Sequence, residues 1–243
     1  MNRNLLAGII ALAIVVSAFI FAQAYKYKFH AVENISVTGL GERDFVSDQI
    51  VWKGNYTRKA FDLKQAYAEL KQDESVIRNY LSSKGVDANE IIFSAVDIQK
   101  DFQERYDGNG KSIGSEFTGY RLTQDVTVDS RQVEKIEKIS REVTELIQSG
   151  IELTSREPSY YYSKLAELKI DLLAKASQDA KNRAETIAKN SGARLGAIRN
   201  ADMGIFQITG KNSNEDYSYG GTFNTSSKNK TASITLRVDY AAR

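Results

Sequence analysis

Few residues of this chain have types and spacing that suggest chemistry, and a glycine pair in "ISVTGLGERDF" comes first. Gly39 and Gly41 follow an alternating apolar stretch, as in the phosphate-binding turn of a dinucleotide-binding fold. That turn needs a third glycine three positions later and a helix that starts in the loop. Asp44 occupies the third position, and the next residues predict a strand from Val46 to Thr57. The pair therefore predicts a tight backbone between two strands, not a nucleotide site.

Three carboxylates form a second candidate site. Asp97, Asp101 and Glu104 lie near the end of one predicted strand. Two carboxylates at a suitable separation can hydrolyse a glycoside. The sequence gives no distance between these side chains, so a hydrolase that uses them stays an alternative function.

Metal and nucleophile chemistry have little support. The chain has no cysteine, which excludes disulfides, thiolate catalysis and cysteine metal sites. Its one histidine, His30, follows the N-terminal apolar segment, where we interpret it as a linker residue. The 33 basic and 31 acidic residues give a net charge of +2, which offers no electrostatic case for nucleic acid. We therefore predict no catalytic residue, no cofactor and no metal.

The N-terminal segment from Leu5 to Ala24 has no charged residue. Its length is close to the roughly 20 residues that span a bilayer. Ala22 and Ala24 give the small-x-small pattern that signal peptidases cleave. We favour an uncleaved membrane anchor, with cleavage after Ala24 as the alternative, and a buried core helix as a third. In the first two cases the rest of the chain is exported. The predicted organisation is an anchor or signal peptide at 1–24, a linker at 25–33 and one domain at 34–241.

Helical and strand periods alternate through that domain. Asp62 is a candidate cap of one predicted helix, which Gly85 ends, and Gly192 ends another. Asp129 and Gln132 have capping-box spacing before a further helix, and Pro158 marks an edge strand or a strand end. The predicted order is ββαββαβαββ after an N-terminal apolar helix. This is an α+β fold with antiparallel sheets and helices packed on one side.

The longest predicted helix, about residues 163–191, carries a stripe of small residues in its second half. Ala176, Ala180 and Ala184 share one face. Small side chains let a helix approach its neighbour closely, so we expect this half to lie tight against a sheet or another helix.

Two motifs resemble signatures of the SIMPL domain family. The first is Ile-x-Val-x-Gly-x-Gly-Glu, and the second lies on the longest helix; they correspond to Ile35, Val37, Gly39, Gly41, Glu42 and to Ala176, Asp179, Ala180, Arg183, Ala184, Ala188. Ser47 replaces a proline that family members commonly have, and Ile187 replaces a leucine. The resemblance implies an exported or membrane-tethered α+β module, ring-shaped homo-oligomers in some members and a link with stress tolerance. It implies no active site.

Surface contacts remain as the basis of function. Asp179 and Arg183 are spaced to orient the helix as an i, i+4 pair, with a ligand or subunit contact as the alternative. Tyr217, Tyr219 and Phe223 lie in the aperiodic loop Gly210–Lys230, which is typical either of an adaptable contact surface or of disorder. The three tyrosines at 160–162 fit a binding platform or half-buried strand packing.

We therefore expect a non-enzymatic cell-envelope protein that acts through self-assembly or partner binding. The expected location is the inner membrane, where residues 5–24 anchor a domain that faces the periplasm. If the chain is cleaved after Ala24, the expected location is the periplasm or the exterior. An envelope hydrolase is the alternative, and a homo-oligomer is the expected state.

Overall fold

The computed structural model describes residues 3–28 and 34–242. The chain divides into two compact units, one formed by residues 1–41, 172–205 and 234–243 and the other by residues 42–171 and 206–233. His30 and residues 29–33 of the predicted linker lie outside the described residues.

Four α-helices and ten strands occur among the described residues. The helices are α1 (Arg3–Lys28), α2 (Leu63–Ser83), α3 (Val133–Glu142) and α4 (Leu165–Ser191). The strands are β1 (Asn34–Val46), β2 (Gln49–Ala60), β3 (Ile91–Phe93), β4 (Asp97–Tyr106), β5 (Ser112–Ser130), β6 (Leu153–Ser155), β7 (Ser159–Tyr161), β8 (Leu195–Met203), β9 (Gln207–Gly210) and β10 (Asn229–Ala242). The predicted α+β class with antiparallel sheets is confirmed.

Helix α1 contains the predicted membrane segment. Its stretch Gly8–Lys26 has a mean hydropathy of 2.2, and none of it is buried. Length and composition therefore suit a membrane anchor or a signal peptide, and both predicted interpretations remain.

The larger unit is built on a sheet of order β3-β5-β2-β6, with β4 also beside β5 and β7 also beside β2. The strand pairs in it are antiparallel. Helices α2 and α3 bury one apolar stripe each against this sheet. The core that they form includes Trp52, Tyr56, Leu70, Leu122 and Ile136. The predicted cap is present, since the Gln65 amide donates to Asp62 Oδ1 at 2.9 Å.

The smaller unit packs the second half of α4 on the strands β1, β10 and β8, which are neighbours in that order. Ala176, Ala180 and Ala184 have no exposed surface. The predicted close packing of the alanine stripe is confirmed, because all three residues are buried and Ala176 and Ala180 lie against β1 at the contacts described below.

Several local predictions need correction. Asp129 lies in β5 and accepts a hydrogen bond from Gln49, so it does not cap α3, whose cap position is Gln132. Three of the predicted strands are each divided in two, as β3 and β4, β6 and β7, and β8 and β9. The first division arises because Ser94 exchanges hydrogen bonds with Asp125 and interrupts the alternation. Pro158 lies between β6 and β7, a strand end as predicted.

Candidate functional site

The glycine pair lies inside β1, so the prediction that it forms a tight connection between two strands is wrong. A Cβ atom on Gly39 would lie 2.1 Å from the carbonyl oxygen of Ala176. A Cβ atom on Gly41 would lie 2.1 Å from the carbonyl oxygen of Leu172. The backbone of β1 thus touches the backbone of α4, and only glycine leaves room for this approach.

Asp179 and Arg183, the acidic and basic residues of the second motif, stabilise the same contact between β1 and α4. The Leu40 amide donates to Asp179 Oδ2 at 2.8 Å, and Arg183 Nε donates to the same oxygen at 2.9 Å. These two donors, the backbone amide first, hold the pKa of Asp179 below its usual range. Glu42 is exposed. The arrangement joins a strand to a helix and assembles no set of catalytic groups.

A surface groove of about 610 Å³ runs beside this contact. Most of the surface that lines it is apolar, and the lining residues are Ser36, Val37, Thr38, Asn182, Arg183, Thr186 and Ile187. Since no carboxylate, histidine or cysteine lines it, the groove offers hydrogen bonds and one cation but no general acid or base.

The three carboxylates on β4 do not converge. Side chains alternate along a strand, so Asp97 and Asp101 share one face and Glu104 points to the other. Asp101 is held by Arg121 at 2.8 Å and Lys59 at 3.0 Å, and these cations lower its pKa. Among the described residues, no cluster of histidine, cysteine, aspartate or glutamate could hold a metal ion.

The end of the β4–β5 hairpin extends beyond the rest of its sheet. Strand β2 ends at Ala60, opposite Tyr120, whereas β4 and β5 continue to pair with each other through Asp101 and Gly119 to the turn. We call residues 101–119 the arm. A glycine-rich turn closes the hairpin.

One face of the arm and its base carries uncovered aromatic side chains. Phe117 lies 5.4 Å from Phe61, 5.7 Å from Phe102 and 5.2 Å from Tyr120, measured between ring centroids. Phe61 and Phe102 keep 71% and 58% of their surface exposed. This face continues the core face of the sheet, because Leu122, opposite Ile98 on it, is fully buried.

The sequence did not single out this aromatic surface. The alternation of Ile98 and Phe102 correctly shows that they share a face, but not that the face is uncovered. Element length could have indicated the uncovered face, since β4 and β5 together extend further than α2, the helix that follows β2, can cover.

The predicted contact loop, between β9 and β10, is ordered by its own hydrogen bonds. Gln207 Nε2 donates to the Ser218 carbonyl at 2.8 Å, and Gln207 Oε1 accepts from the Thr222 amide at 2.7 Å. Glu215 accepts from the Gly210 amide at 2.9 Å and from the Asn224 side chain. These bonds favour the contact-surface interpretation over disorder.

The three predicted contact residues all lie on the outside of this loop. Tyr219 is 99% exposed, and Tyr217 and Phe223 are more than half exposed. The Ser233 hydroxyl lies 3.4 Å from the Tyr217 hydroxyl. Of the tyrosines at 160–162, the first is buried in the core and the third packs on Phe45, so this run follows the strand-packing interpretation.

A buried lysine lies at the foot of the loop. Lys230 is 2% exposed, and its ammonium group donates to the backbone carbonyl and side-chain oxygen of Asn224. Burial lowers the pKa of Lys230 to about 8, and the nearby Glu215 carboxylate opposes that shift. Lys230, at the start of β10, therefore binds the part of the loop that contains Asn224.

Comparison with known proteins agrees with the two sequence motifs. No curated protein matches the chain. A family model described as "SIMPL: Protein of unknown function (DUF541)" matches residues 35–239, which is most of the chain. The residues that it matches include the glycine pair of β1 and the Asp179–Arg183 pair of α4, so this chain belongs to the SIMPL family.

Proposed function

We propose that this protein is a non-enzymatic cell-envelope protein, anchored in the inner membrane or exported, that acts through self-assembly or partner binding. The observation that carries the proposal is the arm. It presents uncovered aromatic side chains on a two-stranded ribbon, and such a ribbon is only marginally stable alone in water. A binding partner would stabilise it by covering those side chains.

The proposed location is supported by α1. Its apolar stretch Gly8–Lys26 has the length and composition of a membrane span. A domain tethered there by one helix works at or near the membrane surface. Membership of the SIMPL family is consistent with such a placement.

The site geometry favours contact over catalysis. Glu104 lies on the opposite face of β4 from Asp97 and Asp101, and Asp101 is neutralised by Arg121 and Lys59. The loop between β9 and β10 adds a second exposed aromatic surface. Exposed aromatic residues on an ordered support are typical of protein-binding surfaces.

The test removes the arm and measures size. Residues 102–118 are replaced by Asn-Gly, which joins the paired residues Asp101 and Gly119 through a two-residue turn. The full chain and this variant are purified in detergent and compared by light scattering and by a thermal melt. We expect an intact fold in the variant and loss of the assembly or captured partner. A matched control, Ile170→Ser, removes an exposed apolar residue that belongs to neither the arm nor the loop.

Two results would contradict the proposal. One is a full-length chain that stays monomeric at all concentrations and captures no partner from the membrane fraction. The other is glycoside hydrolysis by the purified chain that disappears in Asp101→Asn, since this would favour the hydrolase.

A further inference from the structure

The outer edge of β4 is a row of unpaired backbone groups. Strand β4 runs for 10 residues and pairs with β5 on one side. Within residues 3–28 and 34–242, no other strand pairs with β4, and its outward backbone groups form no hydrogen bond. All its side chains except that of Asp101 are exposed. The edge is therefore open to a further strand.

Geometry limits how a second copy of β4 can pair with this edge. In an antiparallel ladder, two opposite residues both direct their backbone groups towards the partner strand or both direct them away. Along β4 the backbone groups of successive residues point alternately towards and away from the partner. A residue can therefore lie opposite its own equivalent in the second copy, or opposite a residue an even number of positions from that equivalent. Opposite side chains then lie on the same face of the combined sheet.

We propose that two copies of this chain pair antiparallel through β4, with Phe102 opposite Phe102 on a two-fold axis. This inference rests on the proposed function and names its partner and its contact. The axis places one lysine opposite a carboxylate and one apolar residue opposite an aromatic one, and no two like charges lie opposite each other within β4. The opposite pairs, each occurring twice, are Lys100 with Glu104 and Ile98 with Tyr106 on one face. On the other face they are Gln99 with Arg105 and Asp101 with Gln103.

The neighbouring registers are worse by simple inspection. Moving the axis to Asp101 or to Lys100 places two like charges directly opposite, which destabilises a cross-strand pair. Moving it to Gln103 places Phe102 opposite Glu104 and leaves Ile98 beyond the end of the strand. Of these registers, the Phe102 axis alone pairs opposite charges, pairs an apolar residue with an aromatic one and places no like charges opposite each other.

The surroundings of Phe102 fit the same partner. Phe102 and Phe117 form an edge-to-face aromatic pair on the exposed face. Pairing would place two such pairs side by side in a four-stranded ribbon of order β5-β4-β4-β5. Three or more strands with an apolar face are independently stable, whereas two are marginal. A second copy thus supplies the additional strands that each two-stranded arm needs for stability.

Charge reversal with compensation tests the register. Lys100→Glu places two carboxylates opposite each other at both symmetric positions, and Glu104→Lys places two ammonium groups opposite each other there. We expect each single variant of the full chain in detergent to weaken the dimer about tenfold, because two attractive pairs become repulsive. The double variant Lys100→Glu/Glu104→Lys restores the pairs in exchanged order and should recover the affinity. Thermal melts show whether each variant is folded.

A cysteine scan tests the axis, since the natural chain has no cysteine. Phe102→Cys brings two thiols directly opposite, within the distance that a disulfide spans. Mild oxidation should therefore convert this variant to a covalent dimer. Gln103→Cys and Lys100→Cys are matched controls, because their equivalents are offset along the strand by about 7 Å or more. We expect little cross-linking in both.

The outcomes separate this inference from the proposed function. An assembly that survives both charge reversals and does not cross-link in the Phe102→Cys variant means that self-association uses another surface, which overturns the inference alone. Cross-linking of Gln103→Cys in place of Phe102→Cys overturns the register. Capture of a different protein by β4 in a monomeric chain overturns the second copy as partner. A chain with no assembly and no partner overturns both proposals.

Discussion

At the scale of residues, Lys230 links the order of the loop to pH. Its ammonium group is buried and reaches Asn224. In the folded protein its pKa is lowered from 10.5 to about 8. Between these values the unfolded chain holds a proton that the folded chain has lost. Stability therefore rises with pH in this window, and below about pH 8 the protein bears the full cost of burying the charge.

We expect the free energy of unfolding to increase by about 1.5 kcal/mol between pH 8 and 9.5 through this residue alone, since the slope approaches roughly 1.4 kcal/mol per pH unit above the folded pKa. Urea denaturation of the wild type and of Lys230→Met at both pH values measures it. Tyr56 sets the upper limit, because burial raises its pKa and its ionisation in the unfolded chain opposes the gain at higher pH. Identical pH profiles in the two proteins would show that the ammonium group is hydrated.

Gly39 makes a second prediction at the residue scale. The Cβ atom of Gly39→Ala would meet backbone atoms of α4 at 2.1 and 2.5 Å, and backbone cannot move aside as a flexible side chain can. We expect a loss of roughly 3 kcal/mol, the upper end for overpacking. Gly108→Ala is the matched control, since its Cβ would meet nothing within 4 Å. Equal midpoints in urea for both variants would rule out the close contact.

At the scale of elements, the alanine stripe makes α4 a helix whose spacing from β1 is fixed. Ala180→Leu or Ala184→Leu adds bulk at a position with no exposed surface. We expect each to cost roughly 1–3 kcal/mol, because the sheet cannot retreat without breaking its hydrogen bonds. Ala174→Leu, at an exposed position of the same helix, should be close to neutral. Thermal melts of the three variants decide this, and unchanged melting at positions 180 and 184 would mean that the face is open.

The elements also show what a sequence can and cannot reveal. The 3.6-residue period identified α2 through Leu70 and Ile77, and the two-residue period identified β2 through Ile50 and Trp52, because these residues meet the core by local geometry. The same two-residue period correctly placed the apolar residues of β4 on one face, but it carries no information on whether that face is covered. Whether an apolar face is covered depends on where another element ends, and that is decided by contacts distant in sequence.

For the candidate site, too, the sequence predicted some features correctly and missed others. The aromatic residues of the contact loop were predicted by composition, and they are exposed. The side chains that order this loop, Gln207 and Lys230, were not identified, since a polar residue in a strand carries no local mark of burial. Gly39 and Gly41 were assigned to a turn because glycine permits both tight turns and close packing, and only the position of α4 distinguishes them.

At the scale of the whole molecule, α1 has the length and composition of a membrane anchor or a signal peptide. We expect the full chain to remain in the membrane fraction after alkaline extraction, because a helix with a mean hydropathy of 2.2 over Gly8–Lys26 partitions into lipid. Intact mass of the protein from that fraction should match the uncleaved chain. The control replaces Ile14 and Val15 by lysine, which should release the chain. Recovery of a soluble chain that begins at Tyr25 would establish cleavage after Ala24.

The unpaired edge of β4 also bears on how safely the protein folds at high concentration. An open strand is a template for any extended segment that a crowded, partly folded neighbour exposes. The charged residues Lys100, Asp101, Glu104 and Arg105 interrupt its apolar positions in the manner of gatekeepers, which discourage stacking of unrelated strands into aggregates. The strand that is free to associate thus carries its own protection against associating indiscriminately.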